Sequence, residues 1–326
     1  MINIKKIGLT ALAGSLVAVS AFAGELSVSG GAKMSYTADT GNEDVQDDGQ
    51  RFGLQKSITF SGSGELDNGH TVSLAHNVAA GAGLSSSILT YDMGDLGTLK
   101  YLDTSGTLGM AAIDDLTPTA DEEIWNGLNT DAATNETPVG RVSMGGTGFN
   151  YTYSAIDGVK VDVGYSPKTA AGVDDGTTSG TGALRSSSSI AVQYTGIEGA
   201  NLFVGTGEAG AATTDSDVDI YGFKYSFGPI TVGAQRTDID YTAASSDLET
   251  DMFGISFAVN DNLSISYGQS ETSKEGSTVE QEISGFSIGY SMGGMTVKAH
   301  QNKGEKLANT AANESEHTEI AISFAF

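Results

Sequence analysis

A stretch of 44 residues, Asp103–Gly146, holds the densest set of charged side chains that could act on a solute. It carries one base, Arg141, against eight carboxylic acids: Asp103, Asp114, Asp115, Asp121, Glu122, Glu123, Asp131 and Glu136. Such a set attracts cations and repels anions. Loops this long without regular structure are uncommon in compact domains and are usually functional or disordered. The stretch is therefore the first candidate for a functional site.

A second set of acids has the alternate spacing with which an EF-hand calcium loop begins. It consists of Asp215, Asp217 and Asp219, but Ile220 stands where that loop needs a glycine. A Ca²⁺ site and simply solvated charge are therefore both open. The four histidines show no metal-site spacing, the chain has no cysteine, and no Ser–His–Asp arrangement is evident. The residues thus predict no enzyme and no required cofactor.

The charge balance excludes several classes of partner. Sixteen bases stand against 41 acids, which gives a formal net charge of −25. A chain this acidic is not expected to bind nucleic acid or anionic lipid head groups through charge. Forty-four glycines and only four prolines favour extended sheet with many tight turns. The composition therefore predicts a β-rich protein that no disulfide stabilises.

The start of the chain has the three parts of a secretory signal peptide. Lys5 and Lys6 precede an apolar run, residues 7–20, and Ala21-Phe22-Ala23 is a small-x-small cleavage site. The run is shorter than the roughly 18–20 residues that a membrane-spanning helix needs. We therefore expect cleavage after residue 23, a mature chain of residues 24–326, and export from the cytoplasm.

Apolar and polar residues alternate along the rest of the chain, which is the pattern of half-buried strands. The predicted strands number sixteen: Glu25–Thr37, Phe52–Leu66, His70–Val78, Ser85–Met93, Thr98–Leu102, Thr147–Ile156, Val159–Ser166, Ser186–Thr195, Ala200–Gly207, Asp217–Phe227, Ile230–Tyr241, Leu248–Val259, Leu263–Ser273, Val279–Ser291, Met295–Lys303 and Glu316–Phe326. Short and long connections alternate between them, so short turns lie at one rim and long loops at the other. Residues 103–146 form the third long connection.

The polar face of these strands carries mainly Ser, Thr, Gly, Gln, Asn and Lys. A soluble β-sandwich would pack large apolar residues there, between its two sheets. An even number of antiparallel strands with one apolar face indicates a membrane barrel instead, and sixteen strands leave an aqueous channel. The pattern predicts an all-β, 16-stranded antiparallel transmembrane barrel.

The signal peptide, the sixteen strands, the long acidic third loop and the alternating end Ile320-Ala321-Ile322-Ser323-Phe324-Ala325-Phe326 together resemble the general porins of Gram-negative bacteria. The resemblance covers the whole mature chain. It implies homotrimers in the outer membrane, in contact with its lipid and lipopolysaccharide, and insertion by the barrel-assembly machinery through Phe326. It also implies that residues 103–146 fold into the barrel as a constriction, and that small hydrophilic solutes diffuse passively.

Charged groups around such a constriction select ions. The predicted acidic side is Asp114, Asp115, Asp121, Glu122 and Glu123. The predicted basic wall is Lys33, Arg51, Lys100, Arg236 and Lys298. Lys33 is expected near mid-height and Lys298 near the short-turn rim, whereas the face on which Arg236 lies is not predicted. Together with the excess of acids, this arrangement predicts a cation-selective channel.

One rival class is an exported, acidic, β-rich surface protein or adhesin that binds Ca²⁺. Such a protein would show glycine–aspartate or solenoid repeats, and the sequence shows none. A second rival, a membrane-barrel enzyme, would need a catalytic serine and histidine at the rim.

Overall fold

The computed structural model describes residues 26–41, 49–79, 83–103, 107–128, 147–167, 186–210, 215–243 and 246–326. The predicted signal peptide, residues 1–23, lies outside this range, as do residues 104–106 and 129–146 of the predicted constriction loop. In the described part, no helical segment is long and apolar enough to cross a membrane.

Sixteen antiparallel strands form one sheet, in which each strand pairs with its neighbours along the chain. β1 also pairs with β16, with Met34 opposite Ile322, so the sheet closes into a barrel. The strands are β1 Ser27–Gly41, β2 Gly49–Glu65, β3 Thr71–Ala79, β4 Gly83–Asp92, β5 Thr98–Asp103, β6 Gly148–Tyr153, β7 Val159–Ser166, β8 Ser187–Tyr194, β9 Ala200–Gly210, β10 Asp215–Phe227, β11 Ile230–Tyr241, β12 Leu248–Asn260, β13 Leu263–Lys274, β14 Gln281–Met292, β15 Met295–Glu305 and β16 Glu314–Ala325. This confirms the predicted fold class.

Several strands extend further than the alternation of side chains indicates. The sequence predicts a connection over residues 38–51, but β1 continues to Gly41 and β2 begins at Gly49. Backbone hydrogen bonds continue the ladder because they do not depend on the polarity of the side chains. Asp39, expected in a loop, is therefore a strand residue that lies opposite His317 of β16.

The two faces of the sheet differ in character. In β14, the exposed Phe286, Ile288 and Tyr290 alternate with the buried Ser287 and Gly289. We call the first side the apolar face and the second the polar face. Since the barrel is closed, one of these faces is the outer surface and the other is the wall of the lumen.

Apolar side chains also occur on the polar face, contrary to the sequence-based expectation. Phe203, Ile220 and Ile239 are buried there in one cluster with Met110 and Ile113. A second cluster consists of Trp125, Leu128, Met252, Ile283 and Leu307. Each cluster joins wall residues to residues 107–128, so this part of the wall is dry because the chain covers it.

Candidate functional site

We call residues 107–128 the covering segment. It follows β5, and its first part, which includes a short 3-10 turn at Gly109–Ala112, lies against strands β6 to β9. The Gly109 N–H donates to Asn150 Oδ1 at 2.6 Å, and the Met110 N–H donates to Ser189 Oγ at 3.0 Å. Gly109 has φ = +53°, and a side chain there would overlap Ser189 and Gly164. Glycine is therefore required where the segment first meets the wall.

The middle of the covering segment lies on a row of glycines. Gly233, Gly254, Gly268 and Gly285 are successive cross-strand partners on β11 to β14. Pro118 lies against the first two and Ile124 against the last two, at distances that leave no room for a methyl group. We call these four residues the glycine track. Without side chains they form a shallow groove, in which the segment approaches the strand backbones closely.

Hydrogen bonds fix the segment at both ends of this groove. The Gln235 amide donates to the Asp114 carbonyl oxygen at 2.8 Å. The Ala120 N–H donates to Ser266 Oγ at 2.8 Å, and the Asn302 amide donates to the Asn126 carbonyl oxygen at 2.9 Å. The side chains that hold the segment are therefore mostly neutral donors and acceptors of the wall.

Asp121 is held by two basic side chains of the wall. Its carboxylate accepts a hydrogen bond from His300 Nδ1 at 2.8 Å, and Lys298 Nζ lies 3.1 Å away. Burial alone would raise the pKa of Asp121, but the hydrogen bonds from His300 and Lys298 outweigh that effect and lower it. Asp121 is therefore an ionised anchor rather than a freely solvated charge.

The other predicted acids of the segment have different surroundings. Asp114 is buried at 3% exposure, whereas Asp115 and Glu123 are partly buried. Glu122 keeps 39% of its side chain exposed and lies 3.8 Å from Lys33 Nζ. Glu122 is therefore a partly exposed acid with a basic side chain across from it.

Three of the five predicted bases meet acids on the polar face. Lys33 Nζ lies 2.5 Å from Glu319 Oε1 and approaches Glu122, and Lys298 approaches Asp121. Arg51 forms an ion pair with Asp39. Lys298 thus reaches the segment, although the sequence predicts a position near the short-turn rim.

The remaining two bases lie elsewhere. Lys100 is on β5, opposite Asn150. Arg236 lies opposite Tyr221 on the apolar face, where it binds Asp238, Glu249 and Asp251. The structure does not bring Arg236 to the covering segment.

The acids proposed for Ca²⁺ lie in β10 and not in a loop. Asp215, Asp217 and Asp219 alternate along the strand, and Ile220, where an EF-hand needs glycine, is buried in the first apolar cluster. Within the described ranges, no group of three or more His, Cys, Asp or Glu side chains is arranged to hold a metal ion.

Sequence reasoning did not single out two histidines at this site. His300 and His317 lie under the covering segment with ring centroids 5.3 Å apart, and the His317 ring packs against Gly127. The sequence does place both histidines on the polar face of neighbouring strands. That they meet can be seen only from the register of β15 with β16, which pairs Asn302 with His317.

Comparison with known proteins identifies the family to which this chain belongs. A sequence model described as Gram-negative porin matches residues 8–325. The chain is a member of the Gram-negative porin family. Porins of this family are channels of the outer membrane, which agrees with the barrel described above. A comparison with curated protein sequences finds no match.

Solved porins share the fold at low sequence identity. The anion-selective porin from Comamonas acidovorans has a TM-score of 0.67 and 14% identity, and the match covers 93% of this porin and 100% of that chain. A mutant of the Rh. blastica porin has a TM-score of 0.65 and 16% identity, with the same coverages. OmpT of Vibrio cholerae without loop L8 has a TM-score of 0.67 and 10% identity, covering 93% and 99%.

Proposed function

We propose that this porin forms a water-filled channel that favours cations and passes ions and small hydrophilic solutes by passive diffusion. The observation that carries the proposal is the closed barrel with an exposed apolar face, which we place on the outside, and a polar face, which we place on the inside. A closed barrel pairs its backbone groups within lipid, and sixteen strands leave space for water. Phe286, Ile288 and similar residues suit the lipid side.

We further propose that the covering segment narrows this channel. Its partners are on the polar face, from Asn150 of β6 to Asn302 of β15, and Glu122 reaches Lys33 on β1. A segment outside the barrel would meet the apolar face, so these contacts favour a position inside. Solutes would then pass between the segment and the uncovered wall of β1 to β5.

The charges next to the segment support the preference for cations. The acids are Asp39, Asp121, Glu122 and Glu319, and the bases are Lys33, Arg51 and Lys298. Each base is already paired with one of these acids, which reduces the field that it presents to an anion. The structurally similar Comamonas protein is named anion-selective, so the fold alone does not set the sign. In this porin the side chains set it.

Conductance across a planar lipid bilayer tests the channel. The purified protein should give discrete conductance steps and a reversal potential that favours cations. A variant with Asp114, Asp115, Asp121, Glu122 and Glu123 changed to amides should lose part of that preference. The matched control changes Asp215, Asp217 and Asp219 of β10 to Asn. The absence of steps would exclude a channel, and equal shifts in both variants would place the five acids outside the constriction.

The outer surface supports assembly into homotrimers. On β1 and β2, the apolar face exposes Met34, Phe52, Leu54 and Ile58. Lys56 lies between Leu54 and Ile58 on the same face. A lysine in the middle of a lipid-facing band is costly, whereas another subunit can offer it a partner. Analytical ultracentrifugation in detergent should give three chains per particle, with Lys56→Glu shifting the protein towards monomer.

Both ends of the chain fit export and insertion into the outer membrane and its lipopolysaccharide. Phe326 exchanges two backbone hydrogen bonds with Gly30, at 2.7 and 3.0 Å, while its side chain is 77% exposed. An exposed terminal aromatic is available to the barrel-assembly machinery. We expect the exported protein to begin at Gly24, which intact mass spectrometry measures, and removal of Phe326 to slow its insertion.

A further inference from the structure

The two histidines under the covering segment are buried in a polar, charged environment. The side chains of His300 and His317 are 0% and 7% exposed, and their ring centroids lie 5.3 Å apart. His300 Nδ1 donates to Asp121, and His317 Nδ1 donates to Asp39. Because a carboxylate only accepts hydrogen bonds, both Nδ1 atoms carry the proton. Both Nε2 atoms are buried and lack a hydrogen-bond partner within the described ranges.

The charges that face this pair come from the segment and from four strands. The segment contributes Asp121 and Glu122. The strands contribute Lys33 and Asp39 of β1, Arg51 of β2, Lys298 of β15 and Glu319 of β16. With neutral histidines these four acids and three bases sum to −1. With both histidines protonated the sum is +1, so the sign of the local charge reverses.

We propose that His300 and His317 form a proton-operated latch that holds the covering segment on the wall at neutral pH and releases it on acidification. The proposal rests on the channel function proposed above. The parts of the segment that would move are Asp121, which bonds to the His300 ring, and Gly127, which lies against the His317 ring.

Protonation destabilises the closed latch for two physical reasons. Each added proton creates a buried Nε2–H donor without an acceptor, and the two rings become like charges in one buried site. Attraction to the carboxylates offsets this only in part, because Asp121 already has Lys298 and Asp39 already has Arg51. Lifting the segment admits water to both rings and removes both penalties.

Release has two consequences for conduction. A segment that leaves the wall occupies more of the lumen, so the conductance falls. The change of the local charge from −1 to +1 weakens the attraction of cations, so the reversal potential moves towards zero. Both changes require the uptake of protons by the two rings, so they should appear together on acidification.

The test is bilayer conductance and reversal potential between pH 8 and pH 5. The chain has four histidines, which gives a matched pair of double variants. His300→Asn/His317→Asn keeps an N–H donor near each carboxylate but cannot take up a proton, so both responses should be lost. His70→Asn/His76→Asn, away from the segment, should respond as the unmodified porin does. A flat response of the unmodified porin, or an unchanged response of the first variant, would overturn the latch.

A reversible lock separates movement from charge. Thr119 Oγ1 of the segment lies 3.3 Å from Ser287 Oγ of the wall, and the chain has no cysteine. Oxidised Thr119→Cys/Ser287→Cys should lose the fall in conductance but keep the shift in reversal potential, and reduction should restore the fall. A conductance that still falls in the oxidised variant would refute the movement. Absence of any channel at pH 8 would instead count against the proposed function.

Discussion

The glycine track gives a direct test of how the covering segment is held. An alanine methyl at Gly254 would lie 2.9 Å from the Pro118 carbonyl oxygen, and one at Gly268 would lie 2.8 Å from Ile124 Cγ2. Ordinary van der Waals contact begins at 3.4 Å, so each methyl is about 0.5 Å too close. The strands hydrogen-bond to both neighbours and cannot retreat. Gly254→Ala/Gly268→Ala should therefore push the segment off the wall.

The expected cost follows from overpacking, which costs about 1–3 kcal/mol per site, or about 2–6 kcal/mol for the pair. The lower flexibility of alanine does not offset this cost, because both strands stay formed whether the segment is seated or lifted. Each 1.4 kcal/mol is about tenfold in an opening equilibrium. Hydrogen exchange at the Ala120 amide, which donates to Ser266, should accelerate by about tenfold or more.

The control for this experiment lies on the uncovered wall. A methyl at Gly31 of β1 would meet only the Phe324 carbonyl oxygen at 3.5 Å and Ser57 Oγ at 3.9 Å, which are ordinary contacts. Gly31→Ala should leave exchange at Ala120 unchanged. The reasoning is wrong if the double variant protects Ala120 as well as the unmodified porin does, or if Gly31→Ala produces an equal acceleration.

Two further predictions concern the two ends of the covering segment. Met110 is completely buried in the first apolar cluster, so Met110→Ala should weaken the closed position by about 2–5 kcal/mol, measured by hydrogen exchange at the Met110 amide. The pKa of Asp121 is lowered because hydrogen bonds from His300 and Lys298 outweigh its burial. Its contribution is therefore complete above its unfolded value, about 3.9, and is lost as pH falls through the lower folded value. In the oxidised Thr119→Cys/Ser287→Cys variant, whose segment stays on the wall at acid pH, the emission of Trp125, the only tryptophan, should show this step below pH ~3.9, and a further Asp121→Asn change should abolish it.

The strand pattern was predictable because its cause is local. Alternation of side chains along each strand depends only on neighbours in the sequence, and it indicated all sixteen strands in order. The end of β1 was predicted less accurately, because Asp39 remains in the ladder although its polarity suggests a loop. Backbone pairing continues as long as a partner strand is present, and side-chain polarity does not record that partner.

The seat of the covering segment was not predictable because it depends on register. Gly233, Gly254, Gly268 and Gly285 have no regular spacing in the sequence, yet they are adjacent once the strands are paired. Similarly, the presence of the apolar Ile220 on the polar face is explained only by the segment that packs against it. Contacts between residues far apart in sequence determine these features, whereas periodicity reports only one strand at a time.

The neutral and charged groups around the covering segment have separate roles, which bears on the preference for cations proposed above. Most groups that seat the segment, such as Asn150, Gln235, Ser266 and the glycine track, carry no charge. The charges next to the segment belong to a few side chains, among them Glu122 and Lys33. Exchange of those few residues alters the electrostatic potential without disturbing the neutral seat. A fold shared at 14% identity with an anion-selective porin is therefore compatible with the selection of cations proposed for this porin.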